Sequence, residues 1–205
     1  MRTIEVFADV RCPFTHVGLR RLVARRDALG RDVVLRIRAW PLELVNQAPL
    51  DAELIAEEVD ALRAQVAPEL FGAFDPGRFP KTSLPALALT AGAYEIGAEV
   101  GERVGLALRW ALFEEGRDIA TPSVLLDIAQ AAGMELPHHH DQDQVRADWA
   151  QGQQRGVIGS PHFFIGRHGY FCPTLDITRV DGQLRIADNR AVFEDFIDRA
   201  LGVVT

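Results

Sequence analysis

Cys12-Pro13-Phe14-Thr15 stands between an apolar run, Thr3-Ile4-Glu5-Val6-Phe7, and the start of a helical pattern. A cysteine between a strand end and a helix start meets free backbone N–H groups and the positive end of the helix dipole. Both favour the thiolate, the nucleophilic form of sulfur. Thr15, three residues on, has a hydroxyl that can donate to such a thiolate. His16 has a titration range that overlaps neutral pH, so it offers positive charge or an acid, or else stands as a solvated helix residue. These residues make Cys12, Thr15 and His16 the candidate catalytic set. The competing reading of Cys12 is a small buried hydrophobe.

The elements around this tetrapeptide read strand, helix, strand. After Pro13, which suits a first helical position, Leu19, Leu22 and Val23 recur at helical spacing, and Gly30 is a plausible stop. Val33 to Trp40 alternates apolar and polar, as a strand does. That order suggests a parallel βαβ unit. Between about 50 and 150 the texture changes to Ala, Leu and Glu without convincing strands. One helix is expected over Asp51 to Val66. Ser83 is expected to cap a second and Thr121 a third. A fourth covers Gly101 to Glu115, and Asp141-x-x-Gln144 resembles a capping box for a last one. The end returns to strands: His162 to Ile165, Tyr170 to Cys172, and Ile177 to Ile186 about an Asp181-Gly182 hairpin turn. Val192, Phe193, Phe196, Ile197, Ala200 and Leu201 trace one face of a terminal helix.

The 205 residues, 48% hydrophobic, are enough for a sizeable core. A net charge of −7 argues against nucleic acid as a partner, and against an anionic membrane surface. No secretory signal or membrane-spanning run is visible, and two cysteines are too few for a disulfide scaffold, so the expectation is a cytoplasmic protein. Pro137-His138-His139-His140-Asp141 is read as an adventitious turn rather than a metal centre, because adjacent histidines on a regular helix cannot converge on one ion. No metal is expected.

Three segments together resemble the thioredoxin fold of the DsbA-like family. FADVRCPFTHVGLRRL resembles its strand–Cys-Pro-x-Cys–helix signature, and GVIGSPHFFIG its cis-proline loop. RWALFEEGRDIATPSVLLDIAQAAGM resembles the helical insertion of the branch that holds FrnE-like oxidoreductases, 2-hydroxychromene-2-carboxylate isomerases and kappa-class glutathione transferases. The resemblance implies an α/β, thioredoxin-like fold with a large all-helical insertion. The expected division is 1–49 with 150–205 as the thioredoxin-like domain and 50–149 as the insertion.

The resemblance implies thiol chemistry, with one departure. Dithiol members have a second cysteine where this chain has Thr15, and Thr15 cannot resolve a mixed disulfide. Isomerase and kappa-transferase members resemble the site but usually begin it with Ser. The first expectation is therefore a monothiol oxidoreductase acting through a mixed disulfide at Cys12, with the sulfur ionised and open beside Pro161. A thiol-cofactor-dependent isomerase or transferase is the alternative, and a non-catalytic binding module is the third. Pro13, Phe14, Ile158, Ser160 and Pro161 become the candidate substrate- or thiol-binding residues, the Ser160 backbone pairing with an extended thiol peptide. Trp40, at the end of the second strand, lines the pocket or packs in the core. Cys172 is a conceivable resolving thiol if its Cα comes within about 7 Å of that of Cys12. No tightly bound cofactor is expected; glutathione or another low-molecular-weight thiol is the candidate co-reactant. The expected partner is a small thiol or a thiol- or disulfide-bearing substrate, and a homodimer is compatible with the sequence.

Overall fold

The computed structural model describes residues 2–134 and 142–202. Strand β1 (Arg2–Ala8) leads through helix α1 (Pro13–Ala28) to β2 (Val33–Ala39), which runs parallel to β1 with Arg2 opposite Val33 and Ala8 opposite Ala39. Helices α2 (Leu42–Val45), α3 (Ala52–Gln65), α4 (Leu84–Ile96), α5 (Ala98–Phe113), α6 (Pro122–Ala131) and α7 (Asp143–Gln154) follow. The chain then returns as β3 (His162–Ile165) and β4 (His168–Phe171), a hairpin β5 (Leu175–Val180) and β6 (Gln183–Asp188), and α8 (Arg190–Leu201).

The sheet order is β2-β1-β3-β4, with β3 antiparallel to β1 and to β4. Strand β1 is central, and its successive side chains go to opposite faces, as the pleat requires. Ile4, Val6 and Ala8 join Leu19 and Leu22 of α1 and Phe196 and Ile197 of α8 on one face. Phe7 joins Trp40, Val157 and Phe164 on the other, against Trp149 of α7. A larger apolar cluster runs through α3, α4, α5 and α6 and meets the sheet region at Val10, Val17 and Ala39.

Strand β2 is an edge, and helices close it. The Tyr94 hydroxyl of α4 accepts from Ile37 N and donates to Leu35 O, both at 2.8 Å, as a neighbouring strand would. One Asp148 carboxylate oxygen of α7 accepts from Ala39 N at 3.1 Å, and the other from Arg38 at 3.0 Å. Gly101 lets α5 pass the Tyr94 ring, since a Cβ there would fall 2.2 Å from its Cγ. Removing only the hydroxyl leaves a buried donor and a buried acceptor unpaired. Tyr94→Phe is expected to cost about 2 kcal/mol in urea unfolding; an unchanged midpoint and slope would mean the edge is satisfied some other way.

Local signals succeeded where their partners lie close by. Asp51 caps α3 by accepting from Glu53 N and Leu54 N. Asp181 and Gly182 take positive φ, as a two-residue hairpin turn requires, although β5 and β6 form a sheet of their own apart from the four strands. As expected, Ser83 and Thr121 stand at the N-caps of α4 and α6, each with Pro in the first turn, but neither side chain makes a capping bond among the described residues. The Ser83 hydroxyl is drawn instead to Asp9 and Glu43. The helix expected from Gly101 starts at Ala98, where Gly97 breaks it from α4 in extended backbone at φ 168°. Helix α7 begins after Gln142. The Asp141 cap and the His138–His140 run lie outside the described residues. Among the described residues, no group of His, Cys, Asp and Glu could hold a metal ion, and no helix is long and apolar enough to cross a membrane.

Candidate functional site

Cys12 is the N-cap of α1, in extended backbone (φ −80°, ψ 115°), with Pro13 opening the helix. Its side chain does not turn back to cap the helix. The Sγ donates to Ser160 O at 3.1 Å. The Ser160–Pro161 peptide bond is cis. Thr15 Oγ1 lies 2.9 Å from Ser160 Oγ, which also accepts from Asp9 N at 3.0 Å. Cys12, Thr15, Ser160 and Pro161 are thus brought together, although some 145 residues separate the two halves.

The sulfur is closed in, which corrects the expectation of an open thiolate. Cys12 is 3% exposed, and burial pushes its thiol pKa up; the Thr15 and Ser160 hydroxyls and Thr15 N–H pull against that without overcoming it. A hydrogen bond donated to a carbonyl is one that only the protonated sulfur can make. The helix start and the two hydroxyls favour ionisation, but desolvation beneath the helices is larger. The Glu58 carboxylate of α3 also acts on the sulfur, opposing its charge.

His16 is corrected too. It is buried, 2% exposed, between Phe71 and Phe113 at ring distances of 5.4 and 5.1 Å. Burial holds its pKa below the usual value despite Glu114, so the ring is neutral and supplies no positive charge. Its Nε2 donates to Glu114 Oε1 at 2.7 Å. Glu114 also accepts from Phe71 N and Gly72 N. Although burial raises the Glu114 pKa, these donors outweigh it and keep the carboxylate charged. His16 is therefore a strut between α1 and the loop after α3.

Trp40 packs in the core at 3% exposure, with Phe7, Val157 and Phe164 and its ring against Gly152. Pro13 is buried, Phe14 half-buried against the helical cluster, and Ile158 72% exposed. Cys172 follows β4 in left-handed backbone at φ 42°, and its N–H donates to Pro161 O at 3.0 Å. It lies beside the cis-proline, close enough for the charge of Cys12 to act on it. Burial first, and then Cys12, push its thiol up to about 12. Both cysteines are free thiols, and Cys172 is poorly suited to attack.

A charged network behind Cys12 escaped the sequence reading. Asp9, with no exposure, accepts from Arg11 N (2.8 Å), Leu42 N (2.8 Å) and Ser83 Oγ (3.2 Å). Arg11, equally buried, reaches Pro80 O and Ser83 Oγ, with its Nε 3.5 Å from Asp9. Glu43 gathers Thr82 Oγ1, Ser83 N and Ser83 Oγ. Arg109 of α5 donates to Asp9 O at 3.4 Å. The network pins the turn that carries Cys12 to the helices over it. Its one local signal is Asp9 and Arg11 at alternate positions of an otherwise apolar strand end.

The model of the DSBA-like thioredoxin domain matches residues 3–185. No protein of curated function matches the sequence. Among solved structures, a probable DsbA oxidoreductase from Streptomyces coelicolor is similar at 20% identity and TM-score 0.67, covering 100% of this chain and 92% of its own. The cytosolic disulfide reductase DsbM from Pseudomonas aeruginosa, solved with GSH, is similar at 18% identity and TM-score 0.63, covering 98% and 96%. A 2-hydroxychromene-2-carboxylate isomerase is similar at 13% identity and TM-score 0.63, covering 99% and 100%. At these identities the structures share the fold, oxidoreductases and an isomerase alike. The strand–Cys12–helix unit, the cis-proline opposite it and the match over nearly the whole chain agree: this protein belongs to the DSBA-like thioredoxin domain family, whose members include thiol oxidoreductases and isomerases.

Proposed function

We propose that the protein is an enzyme of thiol–disulfide exchange that works with one cysteine. The Cys12 thiolate attacks a disulfide R–S–S–R′, forming Cys12–S–S–R and releasing R′–S⁻. A second external thiol R″–SH then attacks the mixed disulfide, giving R–S–S–R″ and returning the Cys12 thiol. The second thiol comes from outside because Thr15 stands at the fourth position of the motif and burial keeps Cys172 protonated. The observation that carries this reading is the 3.1 Å contact of Cys12 Sγ with Ser160 O at the cis-proline.

That contact also accounts for the closed resting sulfur. An extended substrate that pairs its N–H with Ser160 O competes with the thiol for the same acceptor. The released sulfur then has the Thr15 and Ser160 hydroxyls and Thr15 N–H as donors to its charged form. Cys12 is in this sense activated by the segment it attacks. Glutathione is the favoured small thiol, on the analogy of the DsbM neighbour solved with GSH. The absence of any spanning helix among the described residues is consistent with a cytoplasmic setting.

A second reading rests on the Thr15–Ser160 hydroxyl pair. With Cys12 resting as a thiol, the two hydroxyls can orient the sulfur of a bound cofactor thiol, as an isomerase or transferase would need. Mass spectrometry separates the two. After incubation with glutathione disulfide, the purified protein is expected to gain one glutathionyl unit on Cys12 and to lose it on adding free thiol. An unmodified Cys12, together with glutathione binding that survives Cys12→Ser, would transfer the case to the second reading.

A further inference from the structure

Two arginines that form no ion pair with a carboxylate among the described residues line a mainly apolar hollow of about 170 Å³ between α1 and α5. Arg109 forms part of its wall and is 1% exposed. Its guanidinium donates only to backbone carbonyls, Gly105 O at 2.8 Å and Asp9 O at 3.4 Å, and its Nε has no partner among the described residues. Burial lowers its pKa to about 10, with the Asp9 charge pulling the other way. Asp9 is itself bound to Arg11, Leu42 N and Ser83, so it cannot turn to Arg109. A buried cation in this position is costly unless an anion meets it.

Arg20 lines the same hollow from α1. Among the described residues its guanidinium has no hydrogen-bond or ion-pair partner and lies over the Trp110 ring, 5.1 Å from the guanidinium carbon to the centroid. His16 lines the same hollow, and besides burial the charges of Arg109 and Arg20 both act to lower its pKa. The carboxylate there, Glu114, is taken by His16 and two backbone N–H groups. The remaining wall is Leu19, Val23, Leu106 and Ala107.

We propose that this hollow binds a small organic carboxylate, its anionic end at Arg20 with the buried Arg109 charge behind the wall, and its apolar body along Val23 and Leu106 beside Trp110. The volume is below the ~300–1,000 Å³ of pockets for drug-sized ligands, which limits the ligand to about one ring or a short chain. The proposal does not rest on the Cys12 reaction, although His16 and Arg109 join this hollow to the network behind Cys12.

Titration of tryptophan emission with sodium benzoate, and with neutral benzamide of the same shape, tests it on the full chain. Benzoate is expected to change the emission saturably and to bind at least about fivefold more tightly than benzamide, as a charge-assisted pair should. Arg20→Gln, on the exposed side of α1, is expected to weaken benzoate by a similar factor and leave benzamide unchanged. Trp110→Phe is expected to remove the signal, assigning it to this hollow rather than to Trp40 or Trp149. No saturable change, equal binding of the two probes, insensitivity to Arg20→Gln, or a signal that persists in Trp110→Phe would each overturn the site.

Discussion

Cys12→Ala is expected to abolish thiol–disulfide exchange altogether while the protein stays folded. The loss is complete because Thr15 supplies no sulfur and Cys172, with its pKa pushed up to about 12, has almost no thiolate near neutrality. The fold is spared because the sulfur makes one hydrogen bond, and removing it vacates little volume; about 1–2 kcal/mol covers the lost contact and the small cavity. Reduction of a model disulfide by glutathione, followed alongside urea unfolding, gives both readouts. Turnover retained in the alanine variant would remove Cys12 from the mechanism.

Glu58→Gln should stabilise the protein in a pH-dependent way. Burial pushes the Glu58 carboxyl up from 4.5 to about 7; Arg179 works against this and Glu57 adds to it. A carboxyl raised in the folded state binds more protons there than in the unfolded chain. Its favourable contribution is present in full below pH 4.5 and disappears as pH rises through 7. The wild type thus loses about 3 kcal/mol over that range, and the glutamine variant does not. Urea unfolding is expected to show equal stability at pH 4 and a variant more stable by about that amount at pH 8. Equal stability at both values would show that Glu58 ionises freely. Because the Glu58 charge also opposes ionisation of Cys12, the variant is expected to react faster with an alkylating reagent at pH 8.

What the sequence made legible was what neighbours decide. The period-2 runs at β1 and β2, the apolar stripe of α8, the Asp51 cap and the Asp181-Gly182 turn all depend on contacts a few residues apart. Cys12 and Pro161 were legible as a pair through family resemblance, and the chain does bring them together. The protonation state of Cys12 was not legible. Local arguments weigh the helix start and the Thr15 hydroxyl, whereas the larger effect is desolvation by helices whose packing is set far along the chain. His16 failed for the same reason: its partner Glu114 lies 98 positions away. Ser83 looked like a cap because Ser commonly is one; Asp9, 74 positions back, competes for its hydroxyl. Arg109 could have drawn notice as a lone cation within Leu106-Ala107-Leu108-Arg109-Trp110-Ala111-Leu112, but nothing in that run reveals the hollow beside it.

The side-chain closure of β2 bears on how the molecule behaves in crowded solution. With Ile37 N and Ala39 N donating to Tyr94 and Asp148 and Leu35 O accepting from Tyr94, much of that margin of the sheet is already engaged and offers a foreign strand few main-chain groups. Lateral accretion is disfavoured on that flank for as long as α4 and α7 stay docked. A truncated product lacking them would present the bare margin and should be prone to fibrous self-assembly.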